Sequence, residues 1–211
     1  MFAYCNNNPV TSSDQEGYVP STMTTDEGAF PITWWEEIIE YCKGTINGQG
    51  REPYSSIHYG LSNLRRSGCE VIACFNLMKI LGRRGQSLDI IIDYFVEAFC
   101  REPMMGNLAF GLFGAHPFLI GDYLGSQNIN FSSFDDRTFI DNNNCYGVYI
   151  VSFWNEDIKH EGYHTVAIRF DNTGYTIYNK TNGSYLPEKH ADIDYIKGSF
   201  IYGYFIPFNG N

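Results

Sequence analysis

The chain has 211 residues, which is enough for one compact domain with a substantial core. Hydrophobic residues make up 44% and aromatic residues 17% of it, a composition typical of globular proteins rich in β-strands. The formal net charge of -10 argues against a non-specific nucleic-acid-binding protein, because a polyanion would be repelled over most of the surface.

No apolar stretch reaches the roughly 18 residues that a membrane span requires, and the N-terminus lacks the basic and apolar regions of a signal peptide. We therefore expect a cytoplasmic protein with no membrane partner. The six cysteines stand at scattered positions without CxxC pairs, which disfavours zinc sites of the common kinds. The sequence implies no metal or organic cofactor, and most of the cysteines are interpreted as small buried residues.

Helical patterns occupy the first two thirds of the chain. Residues 1–30 are rich in Asn, Ser, Thr, Asp and Gly and are expected to form an irregular N-terminal arm, followed by one domain over 31–211. Within that domain, capping residues and regularly spaced apolar residues predict helices over 33–42, 68–81, 87–99 and 116–124.

Strand patterns follow after residue 144. The sequence Asp171-Asn172-Thr173-Gly174 predicts a tight turn between two of these strands. Helices followed by strands predict an α+β fold with an antiparallel sheet. Runs of β-branched and aromatic residues place the strands over 146–153, 163–170, 175–179 and 199–206.

One cysteine has a position that favours chemistry. Cys69 follows Gly68 and begins a hydrophobic helix, where unpaired N–H groups and the positive end of the helix dipole favour a thiolate. Gly68 removes side-chain bulk where a substrate carbonyl would approach, so it is a candidate substrate-binding residue. Cys74 lies further along the same helix and is interpreted as a buried core residue.

His164 and Asn179 complete a candidate catalytic triad. His164 lies early in one predicted strand and Asn179 ends the next, so the tight turn makes them cross-strand neighbours or leaves them one step apart. His164 is the candidate base, and Asn179 is the candidate residue that orients its ring. Asn63, just upstream of Cys69, is a candidate oxyanion donor. His116, in a glycine-rich loop, is a candidate lining residue of a substrate cleft.

The order of Cys69, His164 and Asn179 resembles the papain-like cysteine peptidase superfamily. Its members have a nucleophilic cysteine at the head of a central helix, an amide side chain just upstream, and His then Asn or Asp on the following antiparallel sheet. Residues 63–206 are most similar to bacterial double-glycine leader peptidases and their cytoplasmic relatives. The resemblance implies a papain-like fold and a cysteine peptidase that hydrolyses an amide bond of a peptide or small amide substrate.

The chain departs from these peptidases at two positions. Glu70 follows the cysteine where the leader peptidases usually have Gly, and Asn63 stands where they usually have Gln. From its place in the first helical turn, we expect Glu70 to face solvent or to pair with Arg65 or Arg66. Two alternatives remain open: acyl transfer to an amine with the same triad, as in transglutaminase-like and acyltransferase relatives, and a catalytically inactive scaffold that binds peptides.

Overall fold

The structure of the chain is a computed structural model that describes residues 44–83, 85–101, 114–142, 145–155, 162–181, 183, 186–190 and 198–208. The expected N-terminal arm over 1–30 and the predicted helix over 33–42 lie outside the described residues. None of the helices in the described part of the chain is long and apolar enough to span a membrane.

The helices of the described residues are α1 (Leu64–Ser67), α2 (Cys69–Ile80), α3 (Leu88–Arg101), α4 (Phe118–Ser126) and α5 (Thr138–Asn142). Helices α2, α3 and α4 confirm three predicted helices to within about two residues at each end. Helix α2 is the most deeply placed, since residues 69–78 are all buried. Gly82 follows its end with a φ of 66°, a left-handed conformation that glycine adopts without strain.

Six strands, four of which were predicted, form an antiparallel sheet. In their order across the sheet they are β3 (Ser132–Phe134), β8 (Gly198–Pro207), β4 (Gly147–Asn155), β5 (Gly162–Asp171), β6 (Gly174–Tyr178) and β7 (Glu188–His190). The turn predicted between β5 and β6 is confirmed by the pairing of Asp171 with Gly174. A separate antiparallel pair, β1 (His58–Tyr59) and β2 (Ser62–Asn63), precedes α1.

The sheet has a hydrophobic core on each face. On one face, Ile150 and Ala167 pack with the buried sides of α2, α3 and α4. On the other face, Val166 and Ile168 pack with Ile140 of α5. Because side chains alternate along a strand, consecutive residues of β5 belong to different cores. The predicted α+β class is confirmed, with α2 buried against one face of an antiparallel sheet.

Candidate active site

Cys69 is the first residue of α2, and 5% of its surface is exposed. Gly68 joins α1 to α2, and its N–H donates to the Leu64 carbonyl at 3.0 Å. A Cβ on residue 68 would lie 2.7 Å from the Leu64 Cα, so the close approach of the two helices explains the glycine. Contact between Gly68 and a substrate stays a prediction.

The thiol of Cys69 lies between strand β5 and the carboxylate of the next residue. The backbone N–H and the hydroxyl of Thr165 lie near enough to the sulfur to lower the pKa of the thiol, and the Glu70 side chain lies near enough to raise it. The Thr165 hydroxyl also lies 3.0 Å from the hydroxyl of Ser152 on β4. Burial raises the pKa of Cys69 well above its ordinary value, and the Glu70 charge raises it further, against the lowering effect of Thr165. The thiol is therefore held protonated at neutral pH.

Glu70 is fully buried beneath the segment that leads into α4. Its Oε1 accepts a hydrogen bond from the Ala115 N–H at 3.3 Å, and its Oε2 has no hydrogen-bond partner among the described residues. Burial raises its pKa to about 7, although hydrogen bonds to its own N–H, to Cys69 and to Ala115 lower it. The prediction that Glu70 faces solvent or pairs with an arginine is wrong. The 114–115 backbone covers the carboxylate, and a Cβ on Gly114 would lie 3.0 Å from Oε1.

Two tyrosines bring phenol groups to the same cluster. Tyr59 of β1 is fully buried, whereas Tyr163 of β5 is partly exposed although its hydroxyl oxygen is buried. For both, burial raises the phenol pKa well above its ordinary value, and the charges of Glu70 and Cys69 raise it further. Both phenols are therefore neutral at pH 7. Sequence reasoning missed Tyr163, although alternation along β5 puts residues 163 and 165 on the face opposite to residue 164.

The predicted base, His164, leaves β5 on the opposite face from Thr165. Its ring meets Phe153 edge-on at 5.7 Å between centroids, and its Nε2–H donates to the Asn179 backbone carbonyl at 2.8 Å. Burial lowers the pKa of His164, and hydrogen bonds to the backbone that follows β6 only partly oppose this. Within the described residues, no hydrogen bond joins its ring to the Cys69 sulfur. The predicted pair is not assembled, because consecutive side chains of β5 point in opposite directions.

Asn179 contacts His164, as predicted for neighbours on paired strands, but it does so through its main chain. Its side chain is fully buried and holds a loop instead. Oδ1 accepts hydrogen bonds from the N–H groups of Gly48 and Gln49, each at 3.0 Å, and Nδ2 donates to Gln49 Oε1 at 2.7 Å. The side-chain amide of Asn179 therefore holds the loop of Gly48 and Gln49 against the end of β6. Only the main-chain carbonyl of Asn179 orients the His164 imidazole.

Asn63 and His116 both lie at helix starts. Asn63 Oδ1 accepts a hydrogen bond from the Arg66 N–H at 3.1 Å, which makes Asn63 the N-cap of α1. His116 is half-buried just before α4, and its Nδ1 accepts a hydrogen bond from the Phe118 N–H at 3.3 Å. The residue before it bonds to Glu70, so His116 lies beside the buried cluster. The predicted roles of Asn63 and His116 toward a substrate stay predictions.

The remaining features of the described residues do not suggest another site. They contain no group of three or more His, Cys, Asp or Glu side chains placed to hold a metal ion. An open surface cavity of about 600 Å³ lies between β3 and α5 and includes none of the candidate site residues. No model of a known protein family matches the chain, and a search of curated proteins found no match. The basis for a functional proposal is therefore the group formed by Cys69, Glu70 and Thr165.

Proposed function

We propose that this chain is a cysteine peptidase that cleaves amide bonds with Cys69 as nucleophile, on a papain-like scaffold. The observation that carries the proposal is a thiol at the first residue of a buried helix, beside a buried carboxylate and against an antiparallel sheet. The first turn of a helix presents N–H groups without intrahelical partners, so it stabilises negative charge on a thiolate or on an oxyanion beside it. A peptide or small amide substrate suits this chemistry.

Glu70 takes the place of His164 as proton acceptor in this proposal. Its carboxylate lies near enough to the thiol to act on the thiol pKa, and no hydrogen bond among the described residues needs to break for a proton to occupy Oε2. A pKa of about 7 suits a group that accepts and returns a proton near neutral pH. Proton transfer from Cys69 to Glu70 relocates one negative charge within the buried cluster and does not create a second one, which limits the desolvation cost.

The reaction consists of two acyl-transfer steps. The sulfur attacks the carbonyl carbon while its proton passes to Glu70, and the electron pair of the C=O bond moves onto the oxygen. Collapse of this intermediate breaks the C–N bond, Glu70 returns the proton to the leaving amine, and a thioester remains on Cys69. Water, deprotonated by the Glu70 carboxylate, then attacks the thioester carbonyl, the C–S bond breaks to release the acid, and Glu70 returns its proton to the Cys69 sulfur.

Acetylation by p-nitrophenyl acetate tests the identity of the nucleophile. The wild-type protein should release p-nitrophenolate and form an acetyl thioester on Cys69, detected by peptide mapping with mass spectrometry. Cys69→Ala should lose both signals. Cys74→Ala is the matched control and should keep them, since Cys74 is fully buried in the same helix but lies away from its N-terminus. Acetylation of a different cysteine in preference to Cys69 would contradict the assignment.

A catalytically inactive peptide-binding scaffold is the second candidate, and the raised pKa of the Cys69 thiol favours it. In that case the Glu70 charge only suppresses the thiol. The two candidates predict opposite effects of Glu70→Gln, which removes the charge and keeps the size of the side chain. If Glu70 is the proton acceptor, the variant slows acetylation of Cys69 by about 100-fold or more. If Glu70 only suppresses the thiol, the variant lowers the thiol pKa and speeds acetylation.

A further inference from the structure

The proposed reaction needs a hydrogen-bond donor beside the sulfur, and the residue predicted for that task has another role. Negative charge develops on the carbonyl oxygen as sulfur attacks, and one well-placed donor contributes about 100- to 1000-fold in rate. Asn63 uses its side-chain oxygen to cap α1, at 3.1 Å from the Arg66 nitrogen. We therefore look for the hydrogen-bond donor to the carbonyl oxygen among the polar groups nearest the Cys69 thiol.

Three hydroxyl-bearing residues approach the thiol from described elements. The Thr165 hydroxyl already bonds to the Ser152 hydroxyl, and it lowers the pKa of the Cys69 thiol. Tyr59 is fully buried. Tyr163 differs from Tyr59 because its side chain is partly exposed, and it differs from Thr165 because its buried hydroxyl has no hydrogen-bond partner among the described residues.

The unpartnered hydroxyl of Tyr163 is the unusual feature, since the large majority of buried polar atoms in folded proteins have a partner. The hydroxyls of Ser152 and Thr165 lie near enough to lower the pKa of the Tyr163 phenol, but they lie 3.0 Å from each other, and the Tyr163 oxygen has no hydrogen-bond partner of normal geometry among the described residues. Tyr163 and Thr165 are two residues apart on β5, so they share the face on which Thr165 contacts Cys69. The Tyr163 phenol therefore lies on the face of β5 that meets Cys69, near enough for the two groups to interact electrostatically, and its hydroxyl has no hydrogen-bond partner among the described residues.

We infer that Tyr163 is a catalytic residue, whose phenol O–H donates a hydrogen bond to the oxyanion that forms when Cys69 attacks a substrate carbonyl. The inference rests on the proposed function. The backbone N–H of Cys69, in the first turn of α2, is the second donor. Burial, reinforced by the Glu70 charge, raises the pKa of the Tyr163 phenol well above its ordinary value, so the phenol is protonated at neutral pH. Tyr163 keeps its proton throughout the reaction, and Glu70 supplies the proton that the leaving amine takes.

Tyr163→Phe tests the inference with two reagents that Cys69 attacks by different routes. p-Nitrophenyl acetate reacts through a tetrahedral oxyanion, whereas iodoacetamide reacts by direct displacement of iodide and forms no oxyanion. We expect the variant to slow acetylation of Cys69 by about 100-fold or more and to change its alkylation by less than about threefold. Tyr59→Phe removes the other phenol of the cluster and is the matched control, with both rates expected within about threefold of wild type.

The possible outcomes separate the inference from the proposed function. Equal slowing of both reactions by Tyr163→Phe, or no slowing of acetylation, overturns the role of Tyr163 and leaves Cys69 as nucleophile. If neither reagent modifies Cys69 in the wild-type protein, the proposed function fails and the inference fails with it.

Folding of the Tyr163→Phe variant is a separate check. The substitution deletes only an oxygen that lacks a hydrogen-bond partner among the described residues, so we expect circular dichroism like that of the wild type. The melting temperature should equal or exceed the wild-type value. A variant that does not fold shows that the phenol has a structural task, which also overturns the inference.

Discussion

Asn179→Ala is expected to destabilise the protein far more than the same substitution at Asn128. Both asparagines have left-handed backbones, with φ of 57° and 52°, and alanine in such a conformation costs about 1–2 kcal/mol. Asn128 is exposed, so Asn128→Ala measures this backbone cost alone. Asn179→Ala also removes three buried hydrogen bonds, which leaves the N–H groups of Gly48 and Gln49 and the side-chain oxygen of Gln49 without these partners.

The hydrogen bonds set the size of the difference between the two variants. Each buried group that loses its partner costs about 1–3 kcal/mol, so the three together add roughly 3–9 kcal/mol to the backbone cost. That is a large part of the roughly 5–15 kcal/mol that holds a typical domain together. Equilibrium unfolding in urea, followed by tryptophan fluorescence, gives both free energies of unfolding. A difference below about 1 kcal/mol would refute the idea that the amide of Asn179 anchors the loop.

Two further predictions concern stability. Gly203→Ala should lower the free energy of unfolding by about 1–3 kcal/mol, because a Cβ on residue 203 would collide with the Phe134 ring. Gly125→Ala is the control and should not destabilise the protein, since a Cβ there meets no neighbouring group within 4 Å. Thermal unfolding compares the stability of the two variants. Glu70→Gln should change the pH dependence of stability. The folded pKa of about 7 exceeds the ordinary value of 4.5, so wild type loses stability relative to the variant as pH rises between these values. Urea unfolding gives the free energy of unfolding of wild type and of Glu70→Gln at pH 4 and at pH 8. The difference between the two proteins should change by about 3 kcal/mol from one pH to the other, and a difference that stays constant would contradict the burial of the carboxyl group.

The start of α2 and the β5–β6 turn could be predicted from the sequence because both depend on neighbouring residues. Gly68 and the apolar run after it indicate a buried helix, and a four-residue polar turn fixes which residues of β5 and β6 face each other. The same local signals predicted the helix that holds the thiol. Its first residue, Cys69, therefore lies where the sequence placed it.

The partners of the site residues could not be predicted, because they come from distant parts of the chain. Glu70 is covered by Ala115, and the Asn179 amide is bound by Gly48, far away in sequence. The sequence also did not indicate on which face of β5 the His164 side chain lies. Both faces of β5 are buried, so Val166 and its neighbours form a continuous apolar run with no polar alternation to show which face meets α2.

The division of β5 between two cores has a consequence for folding. A slip of one residue against β4 would turn Thr165 and Tyr163 into the aromatic core beside α5, and it would bring the His164 ring against α2. Such a misaligned strand would bury hydroxyl groups among aromatic rings on one side and leave the thiol without its partners on the other. A shifted register therefore costs free energy on both faces of β5, which favours the native register over registers shifted by one residue. A strand with one solvent-exposed face would tolerate such a shift more easily.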